Sequence, residues 1–333
     1  MLMFHPEEVI FAPTGRCNLT CAHCHVTRGQ DELPVSDATA FLDTCADAGI
    51  ERVGFSGGEP FLRLDFLVAV TKAAVARGLF FDRLMTNGDW WADERELEAG
   101  LCAVFDAGFD GVIGLSWDAY HGQAPARVRS FIDAAATVWG RKDAVEILSV
   151  RSPDDLSFLR DLEGVARALG GRVEKLAGEP ARIVDDIFSS RSESDPDDGA
   201  GLNIQVQRFP RSRSAAEGVQ GKADAWGDAS WFVDDLCAGP GNVFYVHPDG
   251  SVAPCCGFAN ESAALKLGTV RDSYDRLMEN AQANAQVRAC FDEGLGSVRK
   301  RLEAAGIRFP GKTRDICFFC DRLCNTPGDT RPA

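Results

Sequence analysis

Three cysteines, Cys17, Cys21 and Cys24, fall in one eight-residue run, Cys17-Asn18-Leu19-Thr20-Cys21-Ala22-His23-Cys24, spaced C-x3-C-x2-C. Four-iron clusters normally take four cysteine ligands. A loop that offers three can hold three irons and leave the fourth open to a ligand that is not protein. Chemistry would take place at that iron. Structural zinc suits the run poorly, because it needs four ligands, usually built from C-x2-C pairs. His25 could complete a set, but it directly follows Cys24 and is badly placed to share a tetrahedron. About one strand and one helix later comes Gly57-Gly58-Glu59-Pro60. Glycines remove side chains where backbone must turn sharply or approach a ligand, and proline fixes the exit. Alone, such a turn is common between a strand and a helix.

The other cysteines are unevenly placed. Of twelve, seven lie between 237 and 324, and only Cys45 and Cys102 separate the two groups. In a reducing compartment clustered cysteines read as metal sites or catalytic thiols rather than disulfides. Cys237 is followed by twelve residues, Gly250, four more residues and Cys255. Segments 242–246 and 251–253 read as hairpin strands around His247-Pro248-Asp249-Gly250, which brings both thiols to one side. Cys317 and Cys320 form a C-x2-C pair, and Cys324 follows as an extra candidate. Spacing alone leaves the set Cys237, Cys255, Cys317 and Cys320 open to an iron–sulfur cluster or to structural zinc. Cys256, Cys290 and Cys324 form a less regular set that could serve a second auxiliary cluster. Cys45 and Cys102 fall on helical segments and read as packing residues.

The elements that must position these residues follow from periodicity. An apolar run at 9–12 fits a buried strand with the cysteine loop at its carboxyl end. Ser36 fits an N-cap for a helix carrying Ala38, Phe41, Leu42 and Cys45, ended by Gly49. Strands at 52–56, 82–86, 111–118, 145–150 and 202–209 then alternate with helices near 65–77, 93–107 and 125–138. A further helix opens at Ser152-Pro153-Asp154-Asp155, with proline at its first position. This alternation gives a parallel sheet with helices outside. Ligands of such sheets bind beyond the carboxyl ends of the strands. The cysteine loop, Gly57 to Pro60, Asn87, and Ser116 with Asp118 all fall at such ends, so they point to one site. His121 could reach it or simply open a helix. Trp90 and Trp91 could wall a pocket or pack under the rim, and Arg211 and Arg213 could meet a carboxylate or lie on the surface. Residues 189–201 read as a polar exposed loop.

Taken together, Cys17, Cys21 and Cys24, His23 before the third cysteine, Gly57 to Pro60, and Ser116 with Asp118 resemble the radical S-adenosylmethionine (SAM) enzymes over about residues 8–210. The resemblance implies a partial (β/α)6 barrel and a site-differentiated 4Fe-4S cluster whose open iron is chelated by SAM. The turn Gly57, Gly58, Glu59, Pro60 would hold the SAM amino group, His23 would lie near the adenine, and Ser116 and Asp118 near the ribose. Asn87 would line the same cavity. The segment from Cys237 to Cys324 is similar to the auxiliary-cluster region of the SPASM and twitch subfamilies. It lacks the full SPASM tail C-x2-C-x5-C-x3-C and ends as C-x2-C-x3-C, which favours the smaller twitch arrangement with one auxiliary 4Fe-4S cluster. The implied division is a core barrel at 1–210, a connector at 211–234 and an auxiliary domain at 235–333. The implied reaction is reductive cleavage of SAM to a 5′-deoxyadenosyl radical, which takes hydrogen from a peptide or protein side chain, as in peptide natural-product maturation. A dehydrogenase, epimerase or tailoring enzyme for a small metabolite is the rival, and a non-catalytic metal-binding regulator a third reading. A flavodoxin or ferredoxin-type electron donor is implied, and a separate protein could supply peptide recognition.

Bulk properties bound the partners. The chain has 333 residues, 45% hydrophobic and 26% charged, with 35 basic against 50 acidic residues and a net charge of −15. That balance opposes general binding to nucleic acid or anionic membranes. No apolar run reaches 18 residues, so no membrane span is expected. The start of the chain has neither a basic nor an apolar signal region, and a cytoplasmic location is expected.

Overall fold

A computed structural model describes residues 4–150, 155–175, 181–185, 201–207, 222–233, 236–237 and 241–325. Strands β1 (Glu8–Phe11), β2 (Arg52–Phe55), β3 (Phe80–Thr86), β4 (Val112–Ser116) and β5 (Val145–Val150) pair in sequence, all parallel. Between them run α1 (Val35–Asp47), α2 (Leu64–Ala76), α3 (Glu94–Asp106) and α4 (Pro125–Trp139). After α5 (Asp155–Ala168) the chain forms an antiparallel hairpin, β6 (Gly171–Lys175) and β7 (Ala181–Asp185), before β8 (Gly201–Gln207) pairs parallel with β5. These strands lie in one sheet, in the order β1-β2-β3-β4-β5-β8-β7-β6.

Side-chain alternation explains the layering. Val9, Phe11, Val53, Phe55, Leu84, Ile113, Leu115, Val145 and Ile147 face the helices and are buried in the main core. The opposite face carries Glu8, Arg83, Glu146 and Gln205. Arg83 pairs with Glu146 at 2.8 Å, and Gln205 donates to Glu146 at 2.8 Å. Beside β1 a small apolar cluster forms separately from the main core, Ala12, Val243, Tyr245 and Ala253 with Ile10 packed against it.

Two expectations need correction. The first helix begins at Val35 with Pro34 as its N-cap, and Ser36 lies inside its first turn. Pro34 sits at φ −63° and ψ 135°, so the extended entry ends two residues earlier than a Ser36 cap requires. The hairpin β6–β7 was not expected. Its strands, Gly-Arg-Val-Glu-Lys and Ala-Arg-Ile-Val-Asp, are short and charged, which blunts a strand signal. Residues 151–154, most of 189–201, and Arg211 and Arg213 lie outside the described residues.

The cysteine-rich segment joins the same sheet. Strand β9 (Gly241–Val246) pairs parallel with the free side of β1, and β10 (Ser251–Cys255) returns antiparallel, followed by β11 (Gly268–Thr269). The turn at His247–Gly250 falls where the sequence places it. A short helix α6 (Lys222–Ala225) precedes this hairpin. Helices α7 (Tyr274–Ala283), α8 (Ala285–Arg288), α9 (Leu295–Ala304) and α10 (Ile316–Cys324) follow it. Among the described residues no helix is long and apolar enough to cross a membrane.

Candidate functional site

The cysteine loop leaves β1 and is closed at its base. Gly15 N–H donates to Asp31 O at 3.1 Å, Gly29 N–H to Gly15 O at 3.3 Å, and Leu33 N–H to Pro13 O at 3.0 Å. The turn after β2 lies directly against it: Gly58 N–H donates to Thr14 O at 3.0 Å and Glu59 N–H to Arg16 O at 2.8 Å. Gly57 sits at φ +114°, a conformation few residues other than glycine adopt. The two N–H groups are engaged by the loop and Glu59 O accepts from Leu62 N–H at 3.1 Å, which leaves the Gly57 and Gly58 carbonyls as acceptors for an ammonium group.

Glu59 is fully buried. Its carboxylate accepts from Phe61 N–H at 3.1 Å, Thr86 Oγ1 at 2.8 Å and Asn87 N–H at 2.8 Å. Burial pushes its carboxyl up to about 7 against the pull of these hydrogen bonds. The side chain therefore ties the ends of β2 and β3 together. Asn87 is placed by that tie. Its Nδ2 donates to Asn18 Oδ1 at 2.9 Å and reaches Cys17 Sγ at 3.5 Å. Gln123, which the sequence reading passed over, donates from Nε2 to Asn87 O at 2.5 Å and Ser116 O at 2.8 Å, joining β3 to β4. Only a buried glutamine shortly after a strand end could have signalled it.

At the end of β4, Asp118 accepts from the N–H groups of Tyr120 at 2.8 Å and His121 at 3.2 Å. Its Oδ1 lies 2.9 Å from His121 Nδ1 and its Oδ2 lies 3.6 Å from His23 Nε2. Burial alone would raise this carboxyl, but the hydrogen bond and charge of His121, then His23 and the Tyr120 N–H, carry it below the ordinary value. Burial pulls His23 down to about 4; Asp118 opposes this and His121 adds to it. The ring of His23 lies 4.9 Å from Tyr120 and 4.7 Å from His121. His121 thus belongs to the site. Trp90 and Trp91 pack instead: Trp90 stacks on Phe61 at 4.4 Å, and Trp91 Nε1 donates to Gly88 O beneath the Arg127 guanidinium.

Burial raises the thiols of Cys17 and Cys21, the latter to about 12, with Cys24 and Cys17 adding to the effect on Cys21. The three sulfurs are near enough to act on one another electrostatically. A zinc ion with Zn–S bonds of about 2.3 Å holds sulfurs only ~3.8 Å apart. Among the described residues, the one group of three metal-binding side chains whose ligand atoms all lie within 4.8 Å of one another is His23, Asp118 and His121. Cys17, Cys21 and Cys24 form no such group, so at least one pair of their sulfurs stands more than 4.8 Å apart, wider than a single zinc ion holds.

The second thiol set meets in a chamber lined by Cys237, Cys255, Cys290, Cys317 and Cys320 among Pro254, Leu265, Phe291, Leu295 and Ile316. β10 places Cys255 opposite Gly241, and α10 presents Cys317, Cys320 and Cys324 from successive turns, with Asp315 capping at Cys317 N–H. Cys290, assigned from sequence only to an irregular further set, lines this same chamber. The Cys255 thiol is pushed well up by burial first, and then by Cys320, Cys237, Cys256 and Cys317. Cys45 is buried in α1 as a packing residue.

The arrangement is that of a parallel α/β protein with a three-thiol loop at the strand ends and a second thiol chamber on the same sheet. Residues 11–150 match the family model of the Radical SAM superfamily. This chain carries a radical SAM domain. A probable GTP 3′,8-cyclase of Methanopyrus kandleri is 36% identical over 103 residues, 29% of this chain and 33% of that protein. A PqqA peptide cyclase of Gluconobacter oxydans is 31% identical over 178 residues, 51% of this chain and 48% of its own. The chain thus spans a third to a half of these relatives. The structure of Streptococcus suis SuiB bound to S-adenosylmethionine superposes with a TM-score of 0.55, covering 94% of this chain and 77% of that one. At 14% identity that likeness speaks for the fold alone.

Proposed function

We propose that this chain is a radical SAM oxidoreductase that takes hydrogen from a side chain of a peptide or protein. The observation that carries the reading is the convergence of Cys17, Cys21, Cys24, Asn87, His23 and Asp118 at the carboxyl ends of β1, β3 and β4. When bound, SAM and a four-iron cluster supply a carbon-centred radical able to attack an unactivated C–H bond. In this reading Cys17, Cys21 and Cys24 hold the cluster, and the Asn87 amide orients Cys17. The Gly57 and Gly58 carbonyls accept the SAM ammonium, while Ser116, Asp118 and His23 face the nucleoside. Neutral His23 beside a charged Asp118 gives that end both a flat apolar ring and a hydroxyl acceptor. Cys237, Cys255, Cys317 and Cys320 hold an auxiliary cluster, which can accept the electron left on an oxidised product.

The PqqA peptide cyclase likeness favours a peptide substrate; the GTP cyclase likeness favours a small metabolite and supports the rival. Anaerobically reconstituted protein, reduced with dithionite in the presence of SAM, should release 5′-deoxyadenosine. Variants Cys17→Ala, Cys21→Ala and Cys24→Ala should release none. Absence of the nucleoside from the parent protein refutes the enzyme class. Deuterium carried from a labelled peptide into that nucleoside supports the peptide reading. Transfer only from a small metabolite supports the rival.

A further inference from the structure

The auxiliary chamber has more thiols than one cluster uses. Five cysteines line it, and Cys324 reaches Cys320 from the next turn of α10. A four-iron cluster takes four thiolates. One sulfur is closely accompanied: Cys290 Sγ lies 3.8 Å from Cys320 Sγ, and Gln286 Nε2 lies 3.6 Å from Cys320 Sγ and 3.9 Å from Cys290 Sγ. All three side chains are buried.

These contacts are short for two ligands of one cluster. Thiolates on different irons are spread wider than thiolates on a single ion, for which the separation is ~3.8 Å. The Gln286 amide can only donate to Cys320, and in the Cys290–Cys320 pair either sulfur can donate; with Cys320 as a cluster ligand and Cys290 outside the ligand set, the donor is the Cys290 S–H.

The donors sit on fixed backbone. Asn284 caps α8 by accepting from Gln286 N–H at 2.9 Å and Val287 N–H at 3.1 Å. Cys290 lies in a π-helical turn, Ala289–Glu293, an irregularity often found at functional sites. Its carbonyl accepts from Cys237 N–H at 2.9 Å, which ties the donor segment to another cysteine of the chamber.

We propose that Gln286 and Cys290 are positioning residues that donate hydrogen bonds to the Cys320 thiolate and raise the reduction potential of the cluster it ligates. Hydrogen bonds to cluster sulfurs are among the terms that set this potential. One-electron reduction places more negative charge on the sulfurs, so donors favour the reduced form. The inference rests on the reading above that Cys320 is an auxiliary-cluster ligand.

The test uses the full chain carrying Cys17→Ala, Cys21→Ala and Cys24→Ala, reconstituted anaerobically, so that only the auxiliary signal remains. Potentiometric titration followed by electron paramagnetic resonance gives its midpoint, and iron is counted in parallel. Gln286→Leu and Cys290→Ala should each keep the parent's iron and shift the midpoint to more negative values. A tenfold change in the reduced-to-oxidised ratio corresponds to 59 mV. Cys290→Ser keeps a donor and should return towards the parent. Unchanged midpoints in both variants overturn the inference. So does loss of the four irons in Cys290→Ala, which makes Cys290 a ligand. A parent with no iron at all refutes the underlying auxiliary-site reading instead, before any donor variant is examined.

Discussion

Replacing Gly58 by alanine puts a methyl carbon where the chain has no room. A Cβ there would stand 2.0 Å from Arg16 O, 2.7 Å from Arg16 C and 3.0 Å from Thr14 O. All three are main-chain atoms, so no rotamer change relieves the contact, and the cysteine loop must part from the β2 turn. Two hydrogen bonds span that gap, Gly58 N–H to Thr14 O and Glu59 N–H to Arg16 O. Each contributes about 1 kcal/mol net, and overpacking costs about 1–3 kcal/mol. The sum is roughly 3–5 kcal/mol. At about 2 °C per kcal/mol for a large chain, the melting temperature should fall by roughly 6–10 °C. The assay is thermal unfolding with iron counted per chain. Gly58→Ala should melt lower and lose the iron of the first loop, while the auxiliary iron stays. A variant that melts within about 2 °C of the parent and keeps all its iron refutes the steric argument.

Gly164 provides the opposite case. It lies in α5 with nothing within 4 Å of its would-be Cβ, so Gly164→Ala should stabilise by about 0.5–1 kcal/mol in a denaturant titration. Glu59→Ala strips the acceptor from three buried donors and should cost about 3 kcal/mol or more, seen as a lower denaturant midpoint with unchanged slope. Glu8 predicts a pH dependence. Burial first, then Asp82, lifts its carboxyl to about 7 against Arg52 and Arg83. The folded state therefore binds a proton that the unfolded state releases between about pH 4.5 and 7, and stability falls as pH rises through that window. The share from Glu8 should reach about 3 kcal/mol above pH 7; Glu8→Gln should remove that share and leave the one from Glu59, whose carboxyl is lifted to the same value, as measured by unfolding at pH 5 and pH 8.

Much of this was legible because strand ends are marked twice, by apolar runs and by the residues that follow them. Cys17, Gly57, Asn87 and Asp118 could be assigned to one rim without knowing any distance. What stayed hidden depends on pairing across the chain. Gln123 carries no periodic signal, yet it bonds two strand ends. Cys290 lies 30 residues from Cys320 and enters the chamber through a π-helical turn that no spacing rule announces. His121 stayed open between the site and a helix start, because its bond to Asp118 leaves no mark in the sequence. The charged hairpin β6–β7 was lost to the same cause, since its stability comes from β8 rather than from its own sequence.

The seating of β1 between β2 and β9 limits how this protein can be cut. Truncation ahead of β9 would bare the amide and carbonyl groups of Glu8 to Phe11 along one whole side, leaving an unpaired edge that invites other chains to add to it. The part that carries the three-thiol loop cannot be prepared as a well-behaved fragment by removing the thiol-rich tail. Insertions and fusions belong at loops away from that seam.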